Sequence, residues 1–196
     1  PTMRWWRMLS RVYAVLRGHG RSLDGAPPHT VAACAADVVE TIAASGLSVV
    51  ALAGHSFGGK VVLTARAQLP ATQQTWLLDS SPGTHPGGRP GTQAVVDMLA
   101  TLPATFVDRE AFEAAVRAAG QPTAIAQWLA LSLRPTTVAN EPRVLRFDVP
   151  MIRALMADYL TLDAWPAALA TAPGEVRMVI GGASDVISSD DRARLA

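Results

Sequence analysis

Apolar positions along this chain fall into two rhythms, short unbroken runs and longer stretches spaced for a helix. The runs Val12-Tyr13-Ala14-Val15-Leu16, Val49-Val50-Ala51-Leu52-Ala53, Thr75-Trp76-Leu77-Leu78-Asp79 and Val176-Arg177-Met178-Val179-Ile180 predict strands, most of them of the doubly buried type. Between them, Val31, Ala35, Val38, Val39 and Ile42 mark one face of a helix that Thr30 starts and Gly46 stops. Phe57, Val61, Ala65 and Leu69 mark a second helix, and Trp5, Met8 and Leu9 suggest the tail of an earlier one. Strand and helix in alternation imply a parallel sheet with right-handed crossovers.

The alternation stops after residue 80. Helices are predicted near Thr92–Thr101, from an Asp108 cap to Gly120, near Ala124–Leu133, and over Val149–Leu160 with Ile152, Leu155, Met156 and Tyr159 on one face. Within this block only Val144-Leu145-Arg146-Phe147 reads as extended chain, and a last helix begins near Ser189. The expected organisation is therefore an α/β core formed by 1–80 and 171–196, with a helical cap inserted at 81–170.

Composition narrows the function classes. Of the 196 residues 49% are hydrophobic and 17% charged, which suits a globular domain and excludes extended disorder. A net charge of +1 leaves no electrostatic footprint for nucleic acid or an anionic membrane. Lys60 is the one lysine among 17 basic residues, a bias that points to genome composition rather than phosphate binding. The single cysteine, Cys34, allows no internal disulfide, fits a reducing, cytoplasmic setting and reads as an inert buried thiol. No apolar run approaches a membrane span, and the N-terminal residues have no signal-peptide architecture. Four scattered histidines and one cysteine offer no metal-ligand spacing, so neither metal nor cofactor is expected.

The chemistry concentrates at Gly54-His55-Ser56-Phe57-Gly58-Gly59, a G-x-S-x-G pattern between a predicted strand and a predicted helix. Such a turn is tight enough to demand glycines at the flanking positions, here Gly54, Gly58 and Gly59, and it lifts the serine out of the sheet edge. A dinucleotide-binding loop would need glycine where Ser56 stands. A buried serine in a glycine-rich turn, or a phosphate-cradling loop, is the bland alternative.

The whole set of motifs resembles the α/β-hydrolase superfamily. G-H-S-F-G-G, L-R-G-H-G-R-S at 16–22 and G-G-A-S-D-V at 181–186 carry that resemblance. Trp76–Gly83, Arg146-Phe147-Asp148 and the stretches Ile152–Leu155 and Asp163–Pro166 are similar to the small serine-esterase branch. The resemblance implies Ser56 as nucleophile, the Phe57 amide as oxyanion donor, and the chain order serine, acid, histidine. Asp79 and Asp185 both qualify as the acid; Asp79, closing the strand next to the elbow, is preferred. His55 and His19 are expected to be structural, and His29 and His85 solvent-exposed, with His85 a remote candidate for the base. Trp128, Met151, Met156, Tyr159 and Trp165 are expected to form cap core and to line an acyl pocket; Arg89 and Arg134 should be solvated.

The resemblance also places the family's first strands before residue 1 and its catalytic histidine beyond Ala196, so the chain is expected to be a fragment, poorly stable by itself. It implies hydrolysis of a small-molecule carboxylic ester or thioester through an acyl-enzyme, without nucleic acid, and says nothing of oligomeric state. A non-catalytic ligand- or partner-binding protein on the same fold is the rival from another class. Acyl transfer, haloperoxidase-like chemistry and C–C hydrolysis share the serine.

Overall fold

The computed structural model describes residues 12–85, 87–88, 90–134, 143–171 and 173–195. The expected N-terminal helix tail around Trp5 and the side chain of Arg89 lie outside these residues. Helix α1, Val31–Ser45, starts where Thr30 accepts the Ala33 N–H at 3.1 Å and stops at Gly46, whose φ of 65° is left-handed. Strand β1 (Ala51–His55) leads through the elbow into α2 (Phe57–Arg66), and β2 (Gln74–Leu78) follows. The next elements are α3 (Pro90–Thr101), β3 (Thr105–Phe106), α4 (Arg109–Ala118), α5 (Thr123–Leu129), β4 (Leu133–Arg134), β5 (Arg143–Leu145), α6 (Val149–Thr161) and α7 (Trp165–Leu169). Strand β6 (Glu175–Val179) returns to the sheet, and α8 (Ser189–Arg194) closes the described chain.

The main sheet has the order β1-β2-β6, all parallel. Its register pairs His55 with Leu78 and Leu78 with Val179, so the three strands end flush at one carboxyl edge. Leu52 and Leu77 point into a core with Val62 and Leu63 of α2. A second core joins α1, α2 and α6 through Val31, Cys34, Val61, Leu155 and Tyr159.

Two expectations change. Residues 12–16 form no strand, and Val12, Tyr13 and Val15 are exposed. An apolar run becomes a strand only when neighbours take its backbone groups, and among the described residues no strand pairs with it. The second change is a small antiparallel sheet, β3-β5-β4, within the helical block. Its strands are two or three residues long, too short to show period-two alternation. It sits beside an apolar cluster of its own, in which Phe106 and Phe112 meet edge-to-face at 5.0 Å. Trp128, expected in a core, is 59% exposed.

Helices α6 and α7 are fastened to α2 by hydrogen bonds from two buried cations as well as by apolar packing. The Lys60 ammonium is fully buried and donates to the carbonyls of Gly83, Tyr159 and Leu162, each at 2.7 Å. Arg66 is equally buried and donates to the carbonyls of Ala167, Ala170, Pro173 and Gly174. Both cations meet the carbonyl ends of helices, where the helix dipole favours positive charge. A compact ammonium with three donors matches three converging carbonyls, which a planar guanidinium does not. Also on α6, Asp158 accepts the Val31 N–H at 2.7 Å and so helps cap α1.

Candidate active site

Ser56 sits at the carboxyl end of β1 with φ 50° and ψ −118°. Among the described residues only Ser56 and Asp79, at φ 48°, have positive φ without being glycine. Such conformations cost about 1–3 kcal/mol each and persist only when their surroundings hold them. The His55–Leu78 register makes these two strained residues neighbours, one step past the ends of adjacent strands. The Ser56 N–H donates to the Leu78 carbonyl at 3.1 Å, which carries the pairing one residue beyond the sheet.

The helix that follows shows what Ser56 does not do. A serine at this position ordinarily turns its hydroxyl onto the first helical amides. Thr30, Asp108, Asp148 and Ser188 do so at α1, α4, α6 and α8. Ser56 makes no such bond, so its hydroxyl is not spent on capping α2. Phe57 is the first residue of α2, and its N–H is among the amides that have no carbonyl one turn earlier. An oxygen next to the Ser56 hydroxyl would find that donor and the positive end of the helix dipole.

The glycines of the motif divide their work unequally. A Cβ at Gly54 would lie 2.1 Å from the Gly58 carbonyl oxygen, and one at Gly59 would lie 2.1 Å from the Ser80 hydroxyl. Neither tolerates a side chain. Gly58, expected to be as restricted, faces open space, with no atom within 4 Å of its Cβ position.

The Asp79 carboxylate is held on both oxygens by the loop after β6. The Gly181 N–H donates to one at 3.0 Å and the Ser184 hydroxyl to the other at 2.9 Å. The structure therefore brings Ser56, Phe57, Asp79 and this loop to one edge. Asp185 lies on the same loop but lines a polar cavity of about 380 Å³ with His85 and the start of α3. His85 is half-buried, not exposed, and stacks on Tyr159 with 5.8 Å between ring centres. His29 is also half-buried. His19 accepts or donates at the Arg17 carbonyl, 3.1 Å away, and its backbone closes the turn with Leu16 and Ser22, as expected for a structural residue. Arg134 is exposed, as expected.

A second cavity of about 420 Å³, mostly apolar, opens beside the elbow between Leu16, His55, Phe57, Gly58 and Met156. His55 is exposed at its wall rather than packed in the structure. Met151, Tyr159 and Trp165 are buried as core residues. Phe57 and Tyr159 meet with ring centres 5.6 Å apart, so the elbow rests directly on α6.

Sequence reasoning missed Ser80 and Asp191. Ser80 is buried and donates to the Ser56 carbonyl at 2.6 Å. Asp191, also buried, accepts from the Ser81 hydroxyl at 2.5 Å and from the Trp165 indole at 2.6 Å. Burial opposes its charge, but the hydrogen bonds from Ser81, Trp165 and Ser188 outweigh that and hold it below the usual carboxylate range. The only local signal for these roles was the run Asp79-Ser80-Ser81 itself. No helix among the described residues is long and apolar enough to cross a membrane.

Comparison with known proteins agrees with this fold. A family model described as "Alpha/beta hydrolase family" matches residues 4–196. Among solved structures, a marine microorganism esterase is 18% identical with a TM-score of 0.76, covering 92% of this chain and 69% of its own. An E-2-(acetamidomethylene)succinate hydrolase is 25% identical with a TM-score of 0.64, covering 91% of this chain and 65% of its own. A thioesterase domain from the curacin biosynthetic pathway is 15% identical with a TM-score of 0.54, at 84% and 62% coverage. No curated protein sequence matches significantly.

Proposed function

The chain belongs to the alpha/beta hydrolase family, and from that premise we propose that it serves a serine hydrolase that cleaves a small carboxylic ester or thioester through an acyl-enzyme on Ser56. The observation that carries this reading is the strained Ser56, its hydroxyl withheld from capping α2, next to Asp79, also at positive φ, at the same sheet edge.

In this reading the Ser56 hydroxyl adds to the acyl carbonyl carbon while a histidine takes its proton. In the chain order expected from the resemblance, that histidine follows the acid. The carbonyl oxygen becomes an oxyanion that the Phe57 amide stabilises. Collapse expels the alcohol or thiol, which takes the proton from the histidinium and leaves an ester on Ser56. Water then repeats the sequence and frees the acid. Asp79 is the preferred orienting acid: Gly181 and Ser184 hold both its oxygens, whereas Asp185 faces the polar cavity at the start of α3. The esterase and thioesterase titles among the structural neighbours support ester and thioester substrates as the class to try first.

The test uses the full-length protein, a fluorophosphonate probe and short-chain acyl esters. Ser56→Ala should abolish labelling and hydrolysis, and Asp79→Asn should cut kcat by about 10⁴-fold, by analogy with other triads. Labelling that survives Ser56→Ala sinks the nucleophile. Full activity in Asp79→Asn with a collapse in Asp185→Asn moves the acid to Asp185.

A further inference from the structure

The three residues after β2 each bind a different part of the molecule. Asp79 holds the loop at Gly181 and Ser184, Ser81 holds Asp191 of α8, and Ser80 turns back to the elbow. We propose that Ser80 is a positioning residue for Ser56, holding the peptide whose orientation aims the Ser56 hydroxyl. The proposal rests on the reading of Ser56 as the nucleophile.

The argument is one of backbone geometry. The direction of a residue's carbonyl reports its ψ, and the Ser56 carbonyl is gripped twice. Gly59 N–H donates to it at 3.0 Å and the Ser80 hydroxyl at 2.6 Å, using both lone pairs. Its own N–H is taken by Leu78 at 3.1 Å. The neighbouring strand thus clamps the nucleophile on both sides, from positions 78 and 80, and those positions straddle Asp79. Nucleophile and acid are consequently set by one short piece of chain, and a shift of either strains both.

Two further observations distinguish this contact from a serine that merely satisfies its hydroxyl. Ser80 is 1% exposed, so water does not compete for the bond. Gly59, the last glycine of the motif, is the position that admits it: a Cβ there would overlap the Ser80 hydroxyl at 2.1 Å and its Cβ at 2.5 Å. Gly59 leaves the space that the Ser80 side chain occupies.

The experiment compares kcat, KM and melting temperature in Ser80→Ala and Ser80→Cys of the full-length protein, with a short-chain nitrophenyl ester. Misplacing a reacting atom by a fraction of an ångström to an ångström costs up to about 10²-fold in rate. Ser80→Ala is expected to lower kcat by about 10–100-fold at unchanged KM, and Ser80→Cys, a slightly larger side chain that keeps a weaker donor, by less. A kcat within twofold of the parent in a folded variant overturns the proposal, whatever happens to the melting temperature. If Ser80→Ala does not fold, Ser80→Cys decides by the same criterion. Failure of the underlying reading looks different: a parent protein that does not label, or labelling retained in Ser56→Ala, removes the nucleophile and the positioning role with it. Labelling lost in Ser56→Ala together with undiminished kcat in the Ser80 variants removes only the latter.

Discussion

Residues 90–134 cohere through apolar side chains of their own, whereas residues 149–174 are pinned to α2 by two buried cations. The first group packs Phe106, Phe112, Val116 and Leu129 into one cluster, beside the short β3-β5-β4 sheet. The second presents carbonyls from the ends of α6 and α7 to Lys60 and Arg66, and no ion pair among the described residues involves either cation. Apolar contact is non-directional and tolerates sliding. Carbonyl-to-cation bonds fix distance and angle. The directional fastening lies where it bears on Ser56, because α2 starts at the elbow and Phe57 rests on Tyr159.

Removing a cation should break this distinction most severely. Arg66→Ala removes a fully buried side chain and strips the donors from four carbonyls, two of them on the exposed residues Ala170 and Gly174, and a carbonyl left both buried and unpaired costs roughly 1–3 kcal/mol. We expect a loss of about 4 kcal/mol in chemical denaturation, with α2 and α7 losing amide protection together. A loss below about 1 kcal/mol would mean that the clamp is incidental. Phe112→Ala should cost somewhat less, about 3 kcal/mol, from a fully buried aromatic in the self-packed cluster. Its increased hydrogen exchange should stay within residues 95–133 and spare α2. Spreading of that effect to the elbow helix would erase the comparison.

The last effect concerns pH. Burial pushes Lys60 down from its ordinary 10.5 to about 8, against the pull of Asp163, Asp191 and Asp158. The unfolded chain keeps that proton up to the ordinary value. Between about pH 8 and 10.5 the unfolded state therefore binds more protons, and the Lys60 contribution to stability rises with pH. Cys34 has the opposite sign: burial raises its thiol from 9.0 to about 11, so its contribution falls between about pH 9 and 11. The difference in unfolding free energy between the parent and Lys60→Met should grow from pH 8 to 10.5, and a difference that stays flat refutes the assignment.

The sequence was legible wherever the physics was local. Thr30 and Gly46 bound α1, Asp108 starts α4, and α6 follows its periodicity, because caps and apolar spacing act within one or two turns. It misled where an element depends on distant chain. Residues 12–16 have a strand's composition without a strand's partner, and Trp128 has a core residue's size on an exposed helix face. Nothing in the sequence around Lys60 and Arg66 marks either cation as buried. Their carbonyl partners stand about a hundred positions away, and no window of sequence contains both.

By itself the sequence determined that a serine would stand at a strand-to-helix turn, since that turn is written in neighbouring residues and enforced by the space Gly54 leaves open. Tertiary structure alone decided what stands beside the serine. The parallel register of β1 and β2 sets Asp79 next to Ser56, and long-range packing turns Ser80 onto its carbonyl and encloses the chain's one lysine. Backbone conformation is a property of adjacent residues; proximity between strands and the burial of a charge belong to the whole fold.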